Sequence, residues 1–175
     1  MDVPIAHIIG TAALIALVMS VTLAYQIIVG FVETNVLKAQ LKQVAEYASM
    51  NLVNLITLTE FAYGDISTLT VMTKSLKLPE DLGGNPYRVR LVNEGGNYYV
   101  QAELVTRTDL TAKSPLPLNS TKTSVIIVTD EIQLPDSSVT PSNVVYGGNP
   151  NIVVWCWKNS SDSMCAGIGV RAGGS

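Results

Sequence analysis

Residues 3–32 read VPIAHIIGTAALIALVMSVTLAYQIIVGFV, and this stretch decides the fold. It contains no Asp, Glu, Lys or Arg. Only Pro4, His7, Gly10, Thr11, Ser20, Thr22, Gln26 and Gly30 interrupt a run of Ile, Leu, Val, Ala, Met, Phe and Tyr. The run exceeds the roughly 20 residues that span a bilayer core. At helical periodicity its apolar side chains fall on every side, so the helix must be covered all round, by lipid or by other helices of its kind. Leaving it in water forgoes about 1.5–3 kcal/mol for each large apolar side chain. A secretory signal peptide begins with basic residues and has a shorter apolar stretch; here Asp2 stands at the start.

Outward from this stretch the composition changes but the helical period persists. Leu37, Leu41, Val44, Ala48, Leu52, Leu55 and Thr59 recur at spacings of three and four, with Glu33, Lys38, Gln40, Lys42, Gln43 and Glu46 mostly off that line. One apolar stripe of this kind predicts packing against the remainder of the chain, with Leu37, Leu41, Val44, Ala48, Leu52 and Leu55 as the contacts. Lys42 and Glu46 form an i,i+4 pair. No proline falls between Pro4 and Pro79, and Pro4 lies in the first turn, where it is tolerated. The pattern predicts one helix from about Val3 to about Tyr63, ended by Gly64-Asp65 and on the order of 90 Å long.

From Ile66 onward, β-branched alternation replaces the helical period. Candidate strands are Ser67–Leu76, Tyr87–Asn93, Tyr98–Thr106, Ser124–Thr129, Asn143–Tyr146, Ile152–Lys158 and Ala166–Arg171. The clearest hairpin joins the second and third of these through Asn93-Glu94-Gly95-Gly96-Asn97. Turn signals recur at Gly83–Pro86, Ser114–Pro117, Pro135–Ser138 and Gly147–Pro150. The fold class expected is α+β: a long helix at residues 1–64 (3–32 hydrophobic, 33–63 amphipathic) and a β-rich head at 66–175, built as a small antiparallel sandwich or barrel.

The whole chain has 175 residues, 47% apolar and 14% charged, a formal net charge of -3, two cysteines and one histidine. One His and two Cys are too few for a zinc site. A pI near 5.0 gives no basic footprint for nucleic acid. His7 lies in the apolar run with no Ser or Cys nucleophile near it, and the carboxylates Glu80, Asp81, Asp130, Glu131, Asp136 and Asp162 occupy turn-like or strand-end positions that read as solvated surface. Neither catalysis nor a cofactor is expected. Cys156 and Cys165 flank a polar loop between two strand-like arms, and redox-compartment reasoning favours a disulfide over two free thiols. Asn119-Ser120-Thr121 and Asn159-Ser160-Ser161 are glycosylation sequons. Together these features point to an extracytoplasmic head. The nearest positive charges, Lys38 and Lys42, follow the apolar run and point the other way; a short basic leader removed ahead of residue 1 reconciles the two.

An all-apolar helix running without a break into an amphipathic half, followed by a small β domain, resembles a type IV pilin. The local resemblance is strongest in His7-Ile8-Ile9-Gly10-Thr11-Ala12-Ala13-Leu14-Ile15-Ala16-Leu17 and in Leu78-Pro79-Glu80-Asp81-Leu82-Gly83-Gly84-Asn85-Pro86-Tyr87. The mostly β head is similar to the archaeal branches, and Ile5, where bacterial pilins carry glutamate, agrees with that branch. The resemblance implies a homopolymeric helical filament on the cell surface. It also implies a prepilin peptidase, insertion in the membrane before assembly, and membrane-embedded ATP-driven machinery. The implied filament-core contacts are Ile5, Ile8, Ile9, Gly10, Ala13, Leu14, Ala16, Leu17, Val21, Ile27, Ile28, Gly30 and Phe31, with the small residues as points of close helix approach. Adhesion is the expected role; an archaellin-type motility filament and a membrane-anchored ectodomain that does not polymerise are the alternatives.

Overall fold

The computed structural model describes residues 3–61, 70–118, 125–129, 132–158 and 163–172, with side chains from His7 onward. A single helix α1 spans Val3–Phe61. The expected stop at Tyr63 to Asp65 lies outside the described residues. By compactness the chain divides into one unit ending at Leu37 and a second beginning at Lys38. The amphipathic half of α1 therefore belongs to the head's own folding unit.

Within that second unit, Leu41, Val44, Ala45, Ala48, Leu52, Leu55, Ile56 and Thr59 of α1 are buried, and so is Leu37 at the end of the first. Lys42 and Glu46 pair at 3.8 Å on the exposed side. Two buried polar groups of α1 are satisfied locally. Thr59 Oγ1 donates to the Leu55 carbonyl at 2.7 Å, and Asn51 Nδ2 donates to the Tyr47 carbonyl at 2.7 Å. Ser49 Oγ donates instead to the Pro115 carbonyl at 2.8 Å, tying the helix to the head.

The head consists of β1 (Val71–Ser75), β2 (Tyr87–Glu94), β3 (Asn97–Leu104), β4 (Thr111–Pro115), β5 (Val125–Ile127), β6 (Val139–Pro141), β7 (Val144–Tyr146), β8 (Ile152–Lys158) and β9 (Met164–Arg171). Two sheets form, one ordered β1-β8-β9-β5 with β6 also on β9, the other β4-β3-β2-β7. All pairings are antiparallel except β5 with β9, which is parallel. The first sheet is therefore mixed, whereas the sequence reading expected an antiparallel one. The β2–β3 hairpin pairs as far as Glu94 with Asn97 and closes on Gly95-Gly96, both at positive φ (62° and 89°). That backbone matches the twist of the arms and is open to glycine at little steric cost. The strands therefore run closer to the turn than alternation alone indicates.

β4 runs into the Ser114–Pro117 turn signal, and β6 follows directly on the Pro135–Ser138 one; neither is among the expected strands. Both tolerate proline because it stands at a strand end, and β4 is an edge strand whose outer backbone needs no partner. β8 and β9 carry long buried runs, as strands covered on both faces do. One face, with Met72, Val154, Cys156, Ala166 and Ile168, lies on the side of Thr59, whose hydroxyl is 3.5 Å from Met72 Sδ. The other face holds Val139, Val153, Trp155 and Cys165, against which Val128, Ile132, Leu134 and Trp157 pack.

The Trp155 ring lies over Gly167, its cross-strand partner, and its Nε1 donates to the Ile168 carbonyl at 2.8 Å. A Cβ on residue 167 would stand 2.6 Å from the ring. Only glycine admits that contact, so Gly167→Ala is expected to destabilise the head by about 1–3 kcal/mol through overpacking. Thermal unfolding of the detergent-held chain measures it, with loss of the Trp155 near-ultraviolet signal at the lowered midpoint.

Candidate functional site

The apolar half of α1 is uncovered. From His7 to Glu33 every residue is exposed, including Ile8, Ile9, Leu14, Leu17, Val21, Ile27, Ile28 and Phe31, with Ile27 at 72%. Gly10, Ala13, Ala16 and Gly30 are exposed among them, and open space surrounds both glycines. The side chain of Ile5 lies outside the described residues. Contiguous apolar surface of this extent marks an interaction or membrane surface. Three of its hydroxyls are bonded back to the helix: Thr11 donates to the His7 carbonyl, Ser20 Oγ to the Ala16 carbonyl at 2.8 Å and Thr22 Oγ1 to the Val18 carbonyl at 2.9 Å. With the backbone bonded along the helix as well, these groups meet the requirement that hydrocarbon imposes on polar atoms. It is long and apolar enough to cross a bilayer.

The head presents a contrasting surface. On β2–β3, alternation turns Tyr87, Val89, Leu91, Val100, Ala102 and Leu104 inward, where all are buried. The opposite face holds Arg88, Arg90 and Glu94 of β2, Gln101 and Glu103 of β3, Lys113 of β4 and Tyr146 of β7, set in register across the four strands. Glu103 is 3% exposed although it lies on this outward face. Arg88 Nε donates to its Oε1 at 2.6 Å, Gln101 Nε2 to its Oε2 at 2.9 Å, and Arg90 Nη2 stands 3.5 Å from Oε2. The Tyr146 hydroxyl lies beside the Arg88 guanidinium. Lys113 pairs with Glu94. The sequence reading took these residues as hairpin arms. The signal for a cluster was the polar alternation on both arms at once, Arg88 and Arg90 facing Gln101 and Glu103.

Of the aromatic side chains on the strands, Tyr87 and Trp155 are buried, while Tyr98, Tyr99 and Trp157 are half-buried. Tyr87 donates to the Pro79 carbonyl at 2.7 Å, so it closes the Leu78–Tyr87 turn. A groove of about 390 Å³ runs between Gln40, Val44 and Tyr47 of α1 and the segment Lys77–Gly83. The sequon asparagines Asn119 and Asn159 lie outside the described residues, as do Asp130, Glu131 and Asp162. Among the described residues, no three His, Cys, Asp or Glu side chains come together as metal ligands would.

The disulfide expected between Cys156 and Cys165 is not formed: both are free and buried. Cys156 stands opposite Ala166 and Cys165 opposite Trp157. Residues opposite each other share a face, and successive residues alternate. The two thiols therefore point to opposite faces of the sheet, Cys156 toward Thr59 and Cys165 toward Trp155. No side-chain rotation joins them. Neither thiol is expected to react with a maleimide in the folded chain, and both should react on denaturation without reductant.

Burial pushes the Cys156 thiol from 9.0 up to about 11. Burial, with the Asp81 charge second, pushes the Tyr87 hydroxyl from 10.0 up to about 12. Folding therefore favours the neutral form of each. The resulting stability is fully present below each unfolded-state value and is lost as pH rises through the folded one. Urea unfolding should give a constant free energy up to about pH 9 and a decline above it. Burial also raises the Cys165 thiol from 9.0, so replacing both cysteines, Cys156→Ala with Cys165→Ala, should delay the onset to about pH 10. No protein family, curated protein or solved structure matches this chain.

Proposed function

We propose that this chain is the structural subunit of an extracellular filament of the type IV pilus kind, assembled by packing of its apolar helices, with β heads that serve surface adhesion. One observation carries the reading. Every residue from His7 to Glu33 is exposed, on a helix that continues without interruption into the buried core of a separate folding unit.

Such a helix, exposed among the described residues, needs cover from outside. Lipid provides it before assembly. Neighbouring copies provide it afterwards, and there the hydrophobic effect holds the contact together. Gly10, Ala13, Ala16 and Gly30 let helices approach closely in lipid, where packing rather than hydrophobic gain drives association. A prepilin peptidase and an ATP-driven assembly machine in the membrane are the partners this role calls for.

Shearing the source cells and imaging the released material by negative-stain electron microscopy tests the proposal. Thin filaments composed chiefly of this chain are expected, and Ile27→Glu, which places a charge on the apolar surface, should abolish them while leaving the head folded. Recovery of the wild-type chain solely as a monomer in the detergent-soluble membrane fraction would overturn the filament and leave a membrane-anchored ectodomain.

A further inference from the structure

The outward face of the β4-β3-β2-β7 sheet holds an arrangement that neither fold nor filament requires. Arg88, Arg90 and Lys113 face two carboxylates, Glu94 and Glu103. The face thus carries a surplus positive charge in a chain whose formal net charge is -3. The surplus sits on Arg90. Glu103 is already held by Arg88 at 2.6 Å and by Gln101 at 2.9 Å, whereas Arg90 reaches it only at 3.5 Å. Arg90 Nε is buried with no hydrogen-bond partner among the described residues, yet the side chain as a whole is 41% exposed. An unmet donor on a partly exposed guanidinium is one that rotation of the side chain toward an arriving acceptor would satisfy.

We infer that this face binds an acidic polysaccharide, with the Arg90 guanidinium taking a carboxylate or sulfate of the sugar chain. The fork of Arg suits a planar or tetrahedral oxyanion, for which two parallel N–H donors are available. Arg88 and Arg90 are two residues apart on one strand, and Lys113 lies two strands from Arg90 in the same row. These positions are spaced at roughly 7 and 10 Å, so one extended polymer with recurring charge meets several cations at once. Tyr146, 54% exposed, flanks the row on the β7 side. Its ring offers an amphipathic plane for a sugar face. Glu103 and Gln101 position the site rather than contact the ligand: Glu103 accepts from both Gln101 and Arg88 and so holds the neighbouring donors in place. The site belongs to the head alone and does not rest on polymerisation.

The full chain held in dodecyl maltoside micelles is titrated with heparin by calorimetry at low salt, with neutral dextran alongside. Heparin is expected to bind and dextran not to. Arg90→Gln should weaken heparin binding about tenfold, the loss of one charge-assisted hydrogen-bonded contact. Arg90→Lys, which keeps the charge but not the fork, should lose less. Lys42→Gln on the exposed side of α1 should change nothing. Absence of heparin binding, full binding by Arg90→Gln, or an equal loss in Lys42→Gln would each overturn the site. Equal affinity for a short duplex DNA would overturn the glycan as its ligand. Should Arg90→Gln fail to melt as wild type does, Arg90→Lys carries the comparison. The titration reads the head and the shearing experiment reads assembly, so failure of one is distinguishable from failure of the other.

Discussion

The structure depends on one constraint: a helix apolar on every side cannot be left in water, and among the described residues the apolar half of α1 stands exposed. From His7 to Glu33 the side chains are exposed, while the hydroxyls of Ser20 and Thr22 are bonded back to their own helix. The segment's backbone and these hydroxyls are bonded within the helix, while its apolar side chains are left uncovered. From Lys38 the same helix changes character and becomes one wall of a β domain, with Leu41, Ala45, Leu52 and Thr59 fully buried. That change of burial along a single uninterrupted element separates a part with a core of its own from a part that needs a second environment.

The long helix and the β class were legible because each rests on a period carried by many residues. The stripe at Leu41, Val44, Ala48, Leu52 and Leu55 is such a signal, and so is the alternation through Tyr87–Val92 and Tyr98–Leu104. β4 and β6 were not legible, since each is short, holds a proline (Pro115, Pro141) and adjoins a turn signal, Ser114–Pro117 for β4 and Pro135–Ser138 for β6. Edge position, which makes those prolines harmless, is a property of topology rather than of local sequence. The parallel pairing of β5 with β9 is likewise invisible locally, because both directions use the same alternation.

The cysteines illustrate a different limit. Their spacing closes a short loop, and the polar residues between them suit a hairpin, so a bridge looks reasonable until the register is fixed. The pairing of Cys156 with Ala166 then sets the thiols on opposite faces. A shift of one residue would have put them on the same face, and one residue is less than what loop composition resolves. The same parity is what made the outward cluster partly readable. Arg88, Arg90, Gln101 and Glu103 fall on one face in any register that turns Val89 and Val100 inward, but the burial of Glu103 beneath its partners depends on side-chain packing that alternation does not encode.

A buried carboxylate with two arginines is poor evidence for stability, since desolvation of the ions offsets much of their attraction and apolar replacements often do as well. On this sheet an apolar replacement has a further consequence. Val92, Tyr99, Val144 and Tyr146 already lie on that face, so exchanging Arg88, Arg90 and Glu103 for aliphatic residues would join them into a continuous apolar patch on a chain that already carries one uncovered apolar surface. Two sticky surfaces on one subunit permit wrong pairings between head and helix. The charged network keeps the head soluble while α1 seeks its cover, and the cation left over on Arg90 is the part of that arrangement which solubility alone does not explain.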